Sequence, residues 1–387
     1  MDVATFEWID TPAFVYDERA IHRLLDHTAP LRNDGRCRVL FAVKSFSFAP
    51  ALRAMASRLD GFAVSSLYEA RLARSVIGDT GSVHITTPGL RGNEADEIGL
   101  LCDYLAFNSL GQWEMHSARL QSRVNCGLRV NPQLSFADDC RYDPCRPQSK
   151  LGVPLDDLAA VLGNGPSRLD GVRGLLVHSN CDSSDFRELR ATVEQLQVQI
   201  PGLLRQVEWV NLGGGYLFEE DGEPCGNLDD LCHAIDSLHS QFGVDTFIEP
   251  GSGLIRAAGY FVASVLDLFQ SGGATVAVLD TTVNHMPEVF EYGFQPDVMG
   301  HDDDAPQEYL LAGCTCLAGD LFGAYRFPET LTVGDKVVFS NAGSYTLVKA
   351  HTFNGVALPA VYALTTGDEL VLKSSPSYAE YAARWGL

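Results

Sequence analysis

Eight short apolar runs, interleaved with helix-period segments, constrain this chain more than any other feature. The runs lie at 39–44, 61–65, 83–86, 104–107, 124–130, 172–178, 207–212 and 245–249. Helical periodicity falls between them, at 67–77, 155–162, 186–200 and 228–242. Continuous apolarity over a few residues is what a strand buried on both faces requires, and parallel strands are so buried because their crossover helices cover the sheet. Eight such units over roughly 220 residues predict an α/β fold that begins as a (β/α)8 barrel. The capping box Ser66-Leu-Tyr-Glu69 marks one helix start. The aperiodic stretch 132–150 is expected as a surface loop near the barrel mouth.

After Glu249 the pattern changes. Runs at 260–267, 275–280, 309–312, 336–339, 346–349 and 360–364 are separated by Gly, Asn and Pro turns, with few helical segments. They predict a second, mostly antiparallel β domain of barrel or sandwich type. The run at 11–16 is expected to join it, with Asp17 capping a helix from Glu18 to about Leu31. The expected division is a barrel at 30–255 and a β domain made of 1–29 with 256–387.

A chain of 387 residues suits two such domains. Its formal charge of -22, from 28 basic against 50 acidic side chains, argues against nucleic acid and anionic membranes as partners and suits a small cationic substrate. The N-terminus lacks a basic region followed by an apolar core, and no apolar stretch is long enough to span a bilayer, so a cytoplasmic location is expected. Ten cysteines carry no CxxC pattern and no His or Cys partners at zinc spacing, which predicts reduced thiols and no metal.

In a barrel of this kind the C-terminal strand ends converge on one cavity. Lys44 ends strand one, His178 ends strand six, Gly213, Gly214 and Gly215 follow strand seven, and Glu249-Pro-Gly251 ends strand eight. Three consecutive glycines are expected to leave backbone amides open to an oxyanion, at the usual phosphate position of such barrels. A lysine, a phosphate cradle, a flat imidazole and a carboxylate together suit pyridoxal 5'-phosphate. Lys44 would attach it covalently, His178 would stack on its ring and Glu249 would pair with the ring nitrogen.

Phe41-Ala-Val-Lys44, Asn211-Leu-Gly-Gly-Gly215, Glu249-Pro-Gly251, Gly313-Cys-Thr-Cys-Leu-Ala-Gly-Asp320 and Thr352-Phe-Asn-Gly355 extend this reading. With them the chain resembles, essentially end to end, the pyridoxal-phosphate decarboxylases of alanine-racemase fold. Val64-Ser-Ser-Leu-Tyr-Glu69, Leu279-Asp-Thr281 and His285-Met-Pro-Glu-Val289 are most similar to the carboxynorspermidine (carboxyspermidine) decarboxylases, a polyamine-forming branch. Ornithine and diaminopimelate decarboxylases carry an acidic residue directly after the cysteine, where this chain has Leu317.

The resemblance implies that Cys316 returns a proton after carbon dioxide leaves. It also implies that Gly251 and Tyr345 join the glycines in holding the cofactor, that His285, Glu288 and Asp320 line the substrate pocket, and that a homodimer shares its active sites. Three departures stand out: Ser252-Gly253 replaces a usual Glu-Ala, Gln295 replaces a usual arginine, and Cys314 replaces a usual proline. A related carboxy-aminopropyl substrate is the nearest alternative. A racemase or a non-catalytic cofactor carrier of this fold would not need Lys44 and Cys316 together.

Overall fold

The computed structural model describes residues 1–32, 35, 37–137, 139–163, 169–220, 222–225 and 228–387. The chain divides into two compact units, Arg23–Leu254 and Met1–His22 with Ile255–Leu387.

The first unit is a closed barrel of eight parallel strands. These are Cys37–Ala42, Gly61–Val64, Ser82–Thr87, Tyr104–Phe107, Asn125–Asn131, Gly174–Val177, Trp209–Asn211 and Asp245–Ile248. Each pairs with the next, and the last returns to the first with Thr246 beside Cys37. The strands match the expected runs to within a few residues, with one consequential difference. Strand one stops at Ala42, and Lys44 stands in a single 3-10 turn, Val43–Ser45, just beyond it. There the Ser45 hydroxyl donates to the Ala42 carbonyl at 2.8 Å, and the Ala42 amide donates to the Pro250 carbonyl at 3.1 Å.

The barrel floor is filled by an inward layer of Leu40, Ala63, Ala106, Leu176, Trp209 and Phe247. Trp209 fits because the facing positions are glycines. A Cβ on Gly174 would fall 1.9 Å from the indole, and one on Gly127 would fall 2.7 Å from it. His84, 4 % exposed, stacks on Tyr104 with ring centroids 4.1 Å apart, and its Nε2 lies 2.9 Å from the Ser82 hydroxyl. This is a densely packed end. The helices Leu67–Ile77 and Leu228–Phe242 match their expected bounds. The described part of 132–150 is loop.

The second unit is built on an eight-stranded sheet. Its longest strand, Gly259–Ser271, serves two sets of neighbours. The first half pairs with Ala13–Asp17 and Lys336–Phe339, and after a bulge between Val265 and Asp267 the second half pairs with Ala274–Leu279. A bulge of that kind turns one strand from one neighbourhood to the next. Two of the pairings are parallel, Ala13–Asp17 with Ala360–Leu364 and Ala274–Leu279 with Gln307–Ala312. Phe6, Ile9, Val15, Val262, Val338 and Leu364 form part of its core.

Asp17 caps the next helix as expected, its Oδ1 accepting from the Arg19 and Ala20 amides at 2.8 and 3.2 Å. That helix ends at Asp26, and a separate turn, Ala29–Arg32, follows. The expected strand at 346–349 is instead a turn, because Tyr345 takes a left-handed φ of 56° and redirects the chain. Two strands escaped the sequence reading. Leu321–Phe327 is interrupted by Gly323 and Arg326, and Leu370–Ser374 buries little. A terminal helix, Tyr378–Arg384, starts on a complete capping box between Ser377 and Glu380. No described helix is long and apolar enough to cross a membrane.

Candidate active site

The barrel unit brings Lys44, His178, Gly213 to Gly215, Glu249 and Gly251 to the same end of the strands. Lys44 keeps accessible surface, yet protein packs closely around it on most sides, as for a side chain standing in a concave site. That crowding depresses the ammonium's proton affinity, helped by the nearby charge of Arg129 and opposed by Glu249, Cys181 and Glu69. A lysine so placed is closer to the neutral amine that acts as a nucleophile.

Glu249 is pushed the other way. Burial raises its carboxyl, against the stabilising effect of a hydrogen bond from Asn211 and of the Lys44 and Arg129 charges. Asn211 is fully buried and serves two functions, its Nδ2 donating to Glu249 Oε1 at 2.6 Å while its Oδ1 accepts from the Gly213 amide at 2.9 Å. One strand-end side chain thus orients both the carboxylate and the glycine turn.

The glycine turn departs from the expectation of three open amides. Gly213 N–H is taken by Asn211, and Gly214 N–H donates to His178 Nδ1 at 3.0 Å, whereas the Gly215 amide has no hydrogen-bond partner among the described residues. The turn still admits glycine alone. Gly213 and Gly215 have φ of 69° and 89°, and a Cβ on Gly214 would sit 2.1 Å from the Glu249 carbonyl oxygen.

Since Nδ1 of His178 accepts, its ring carries the proton on Nε2 and is neutral. Burial and the Lys44 and Arg129 charges hold its pKa well below the usual value. The Cys145 thiol donates to the His178 carbonyl at 3.6 Å, so the residue is held from two sides.

Two residues belong to this site that the sequence reading did not assign, Asn211 and Arg129. Arg129 is 8 % exposed, lies within electrostatic reach of Lys44, His178 and Glu249, and makes no hydrogen bond or ion pair with a described residue. An unpartnered buried guanidinium is costly, and it calls for an anionic or acceptor group. The signal was a charged residue inside an apolar strand run. Glu69 also changes character: its Oε2 accepts from the Ser65 amide at 2.7 Å, outside the reciprocal box, and it lies within electrostatic reach of Lys44.

The remaining residues lie in the sheet unit. Cys316 is exposed on the loop after Gln307–Ala312, its amide donating to Asn354 Oδ1 at 2.9 Å. Tyr345 is half-buried, and left-handed backbone in an aromatic residue concentrates at functional sites. His285 is fully buried, with Nδ1 2.9 Å from the Thr281 hydroxyl. Glu288 accepts from the Lys349 ammonium at 3.0 Å, and Glu291 shares that ammonium at 2.6 Å. Asp320 is 3 % exposed and engaged by its own neighbourhood.

Two of the three departures have local contacts to account for them. Gly253 sits where a Cβ would approach the Tyr216 carbonyl oxygen to 2.4 Å, which excludes alanine on this backbone. Gln295 donates to the Ala324 carbonyl at 2.7 Å, fastening its segment to Leu321–Phe327. All ten cysteines are free thiols, and no group of three or more metal-binding side chains occurs among the described residues.

The donor set fits pyridoxal phosphate: a crowded lysine, a glycine cradle with an open amide, a neutral imidazole, a hydrogen-bonded carboxylate and an unpaired guanidinium. Comparison with known proteins agrees. The model of the pyridoxal-dependent decarboxylase C-terminal sheet domain matches residues 13–343. A carboxyaminopropylagmatine decarboxylase of Synechocystis sp. is 35% identical over 98% of this chain and 96% of its own length. A carboxynorspermidine/carboxyspermidine decarboxylase of Campylobacter jejuni is 31% identical over 98% of this chain and 99% of its own. The crystal structure of carboxynorspermidine decarboxylase complexed with norspermidine from Campylobacter jejuni superposes with a TM-score of 0.86 at 29% identity, covering 97% of this chain and 100% of that one. The chain therefore belongs to the pyridoxal-dependent decarboxylases, with pyridoxal phosphate as its cofactor.

Proposed function

We propose that this enzyme removes the α-carboxylate of carboxynorspermidine or carboxyspermidine, giving norspermidine or spermidine. The chemistry is supported by the crowded Lys44 beside Arg129 and Glu249, and the substrate by near full-length similarity to enzymes named for it. Pyridoxal phosphate, when bound, supplies the electron sink that makes loss of the carboxylate feasible. Lys44 supplies the amine that would hold the cofactor, its crowding favouring the neutral form over the ammonium. Glu249, oriented by Asn211, holds a proton at the ring nitrogen. The Gly215 amide, Gly251 and Tyr345 bind the phosphate, His178 offers an uncharged face to the ring, and Arg129 satisfies an acceptor oxygen. Cys316 Sγ then gives a proton to the substrate Cα. Glu288 lines the substrate's path.

The working enzyme is a homodimer in which the barrel of one subunit meets the cysteine loop of its partner. Support comes from exposed apolar side chains at the cysteine loop: Phe290, which packs against Gly319, Leu321, which follows Asp320, and Phe353, which precedes Asn354, are 62, 41 and 43 % exposed.

A second substrate is favoured by the Synechocystis relative: carboxyaminopropylagmatine, which shares the aminopropyl amino-acid end but carries a guanidinium at the far end. Carbon dioxide release from both classes, with ornithine and diaminopimelate as controls, separates these readings. Release only from ornithine or diaminopimelate would remove the polyamine assignment.

A further inference from the structure

We propose that Asp320 is a positioning residue that ties the loop carrying Cys316 to the turn carrying His285. It thereby sets the place from which the thiol delivers its proton, a consequence that rests on the decarboxylase reading above.

The two oxygens of this buried carboxylate face different segments. Oδ1 accepts from the Thr282 hydroxyl at 3.0 Å and from the Val283 amide at 2.7 Å, in the turn that leads to His285. Oδ2 accepts from the Thr315 amide at 3.1 Å and from the Thr315 hydroxyl, one residue before Cys316. A carboxylate has about four acceptor sites, and four donors fill them. None is left for a substrate amine, so the role of Asp320 differs from the pocket-lining one the resemblance implied.

The loop is shaped to receive that carboxylate. Gly313 N–H donates to the Asp320 carbonyl at 2.8 Å and Asp320 N–H to the Leu317 carbonyl at 3.0 Å, closing residues 313–320 on themselves. A Cβ on Gly313 would lie 2.2 Å from Asp320 Oδ1, so glycine there makes room for the carboxylate. Cys314 N–H donates across to the Thr281 carbonyl at 2.8 Å. Asn354 then pins the Cys316 amide from outside. Losing one buried charged acceptor strands several donors at once, so the two segments loosen together.

Hydrogen exchange on the full-length holoenzyme tests this without requiring turnover. Asp320→Asn keeps the side chain's size but turns one acceptor into a donor. Exchange at 313–320 and at 282–286 should rise together, by roughly tenfold or more if local opening becomes that much easier. Acceleration confined to 313–320, or none, overturns the tether. If Asp320→Asn fails to fold, Thr315→Val serves: it removes one donor to Oδ2 and should accelerate exchange at 282–286, in the other segment, whereas an effect only around residue 315 overturns the proposal.

The catalytic consequence is read by a double-mutant cycle on carbon dioxide release. Asp320→Asn should lower kcat roughly tenfold to a hundredfold with little change in KM, and should add nothing in a Cys316→Ala background. A raised KM at unchanged kcat, or full additivity with Cys316→Ala, overturns the positioning role. If wild-type protein releases no carbon dioxide from any substrate tested, the decarboxylase reading fails and the exchange result alone decides the tether.

Discussion

The barrel mouth and the cysteine loop hold their functional groups by different means. At the mouth, Lys44, His178 and Glu249 project from strand ends or the turn just beyond, and the parallel sheet fixes their Cα positions before any side chain contributes. Polar contacts such as Asn211 to Glu249 then refine orientation. In the sheet unit Cys316 lies on a loop held by a few backbone bonds and by two polar side chains, the Asp320 carboxylate and the Asn354 amide. Strand-borne sites are rigid through backbone pairing and packing, whereas a loop-borne site is as rigid as its polar anchors. The barrel mouth should therefore tolerate loss of a single hydrogen bond better than the cysteine loop does.

The largest effect should follow removal of the strand-end lysine. Lys44→Ala should abolish carbon dioxide release, by about five powers of ten or more, as expected where a covalent attachment point is lost. Borohydride reduction of the wild type should fix the cofactor to Lys44. Recovery of the adduct at Lys336 or Lys349 would break the comparison, since both belong to the sheet unit, where Lys336 is committed to the Ile9 carbonyl and Lys349 to two glutamates.

Next in size is Glu249→Ala, which should retain cofactor absorbance while kcat falls by about three powers of ten, some 4 kcal/mol of transition-state stabilisation. Asn211→Ala leaves the carboxylate in place and removes its orienting donor together with the acceptor of the Gly213 amide, and should cost about tenfold. A larger loss in Asn211→Ala than in Glu249→Ala would show that polar anchoring dominates at the barrel mouth too.

A third test asks whether the two regions work across a subunit boundary. Lys44→Ala and Cys316→Ala homodimers should each be nearly inactive, yet exchanging their subunits should restore about a quarter of wild-type activity, because random pairing makes half the dimers mixed and each mixed dimer has one intact site. If exchange is shown by mass and no activity returns, Cys316 acts within its own chain or not at all.

The same difference explains what could be read from sequence. Strand runs and helix periods expose the barrel directly, since burial on both faces of a parallel sheet leaves continuous apolar runs, and Lys44, His178 and Glu249 stood out as polar endings to them. Arg129 and Asn211 carried the same signal, a polar residue at or near the end of a buried run, yet went unassigned: Arg129 lies within an otherwise apolar run, and Asn211 stands beside the more conspicuous glycines. The turn at 346–349 looked like a strand because Tyr345 hides its left-handed backbone behind a strand-favouring side chain. The Asp320 tether joins residues 38 apart, Thr282 and Asp320, a contact that no local pattern encodes. The placement of Gln295 against Ala324 is likewise a tertiary fact.

The smallest predicted effect compares two histidines buried neutral, one in each region. His84 on the barrel floor is held down to about 3 by burial, with Arg38 adding to the shift. His285 is held down to about 4, again mainly by burial, with Asp320 opposing and His351 assisting. The sign follows from proton counting. Near pH 7 both are neutral in folded and unfolded chain alike, and below their unfolded value of 6.5 the unfolded chain binds protons that the folded one refuses. Stability is therefore lost as pH falls from 6.5, towards about 3 for His84 and about 4 for His285. Each group should cost about 2 kcal/mol by pH 5, and the two should part only below pH 4, where His285 begins to charge in place. Urea unfolding of His84→Gln and His285→Gln at pH 7, 5 and 3.5, with hydrogen exchange to assign each loss to its unit, should show a shallower acid dependence in both variants, with the two separating only at the lowest pH. Because Asp320 can partly neutralise a charged His285, while no acidic side chain among the described residues opposes the shift of His84, the His84→Gln variant should gain more relative stability at the lowest pH. The reverse order would place the stricter desolvation in the loop region and undo the contrast between a packed barrel floor and a polar-anchored loop.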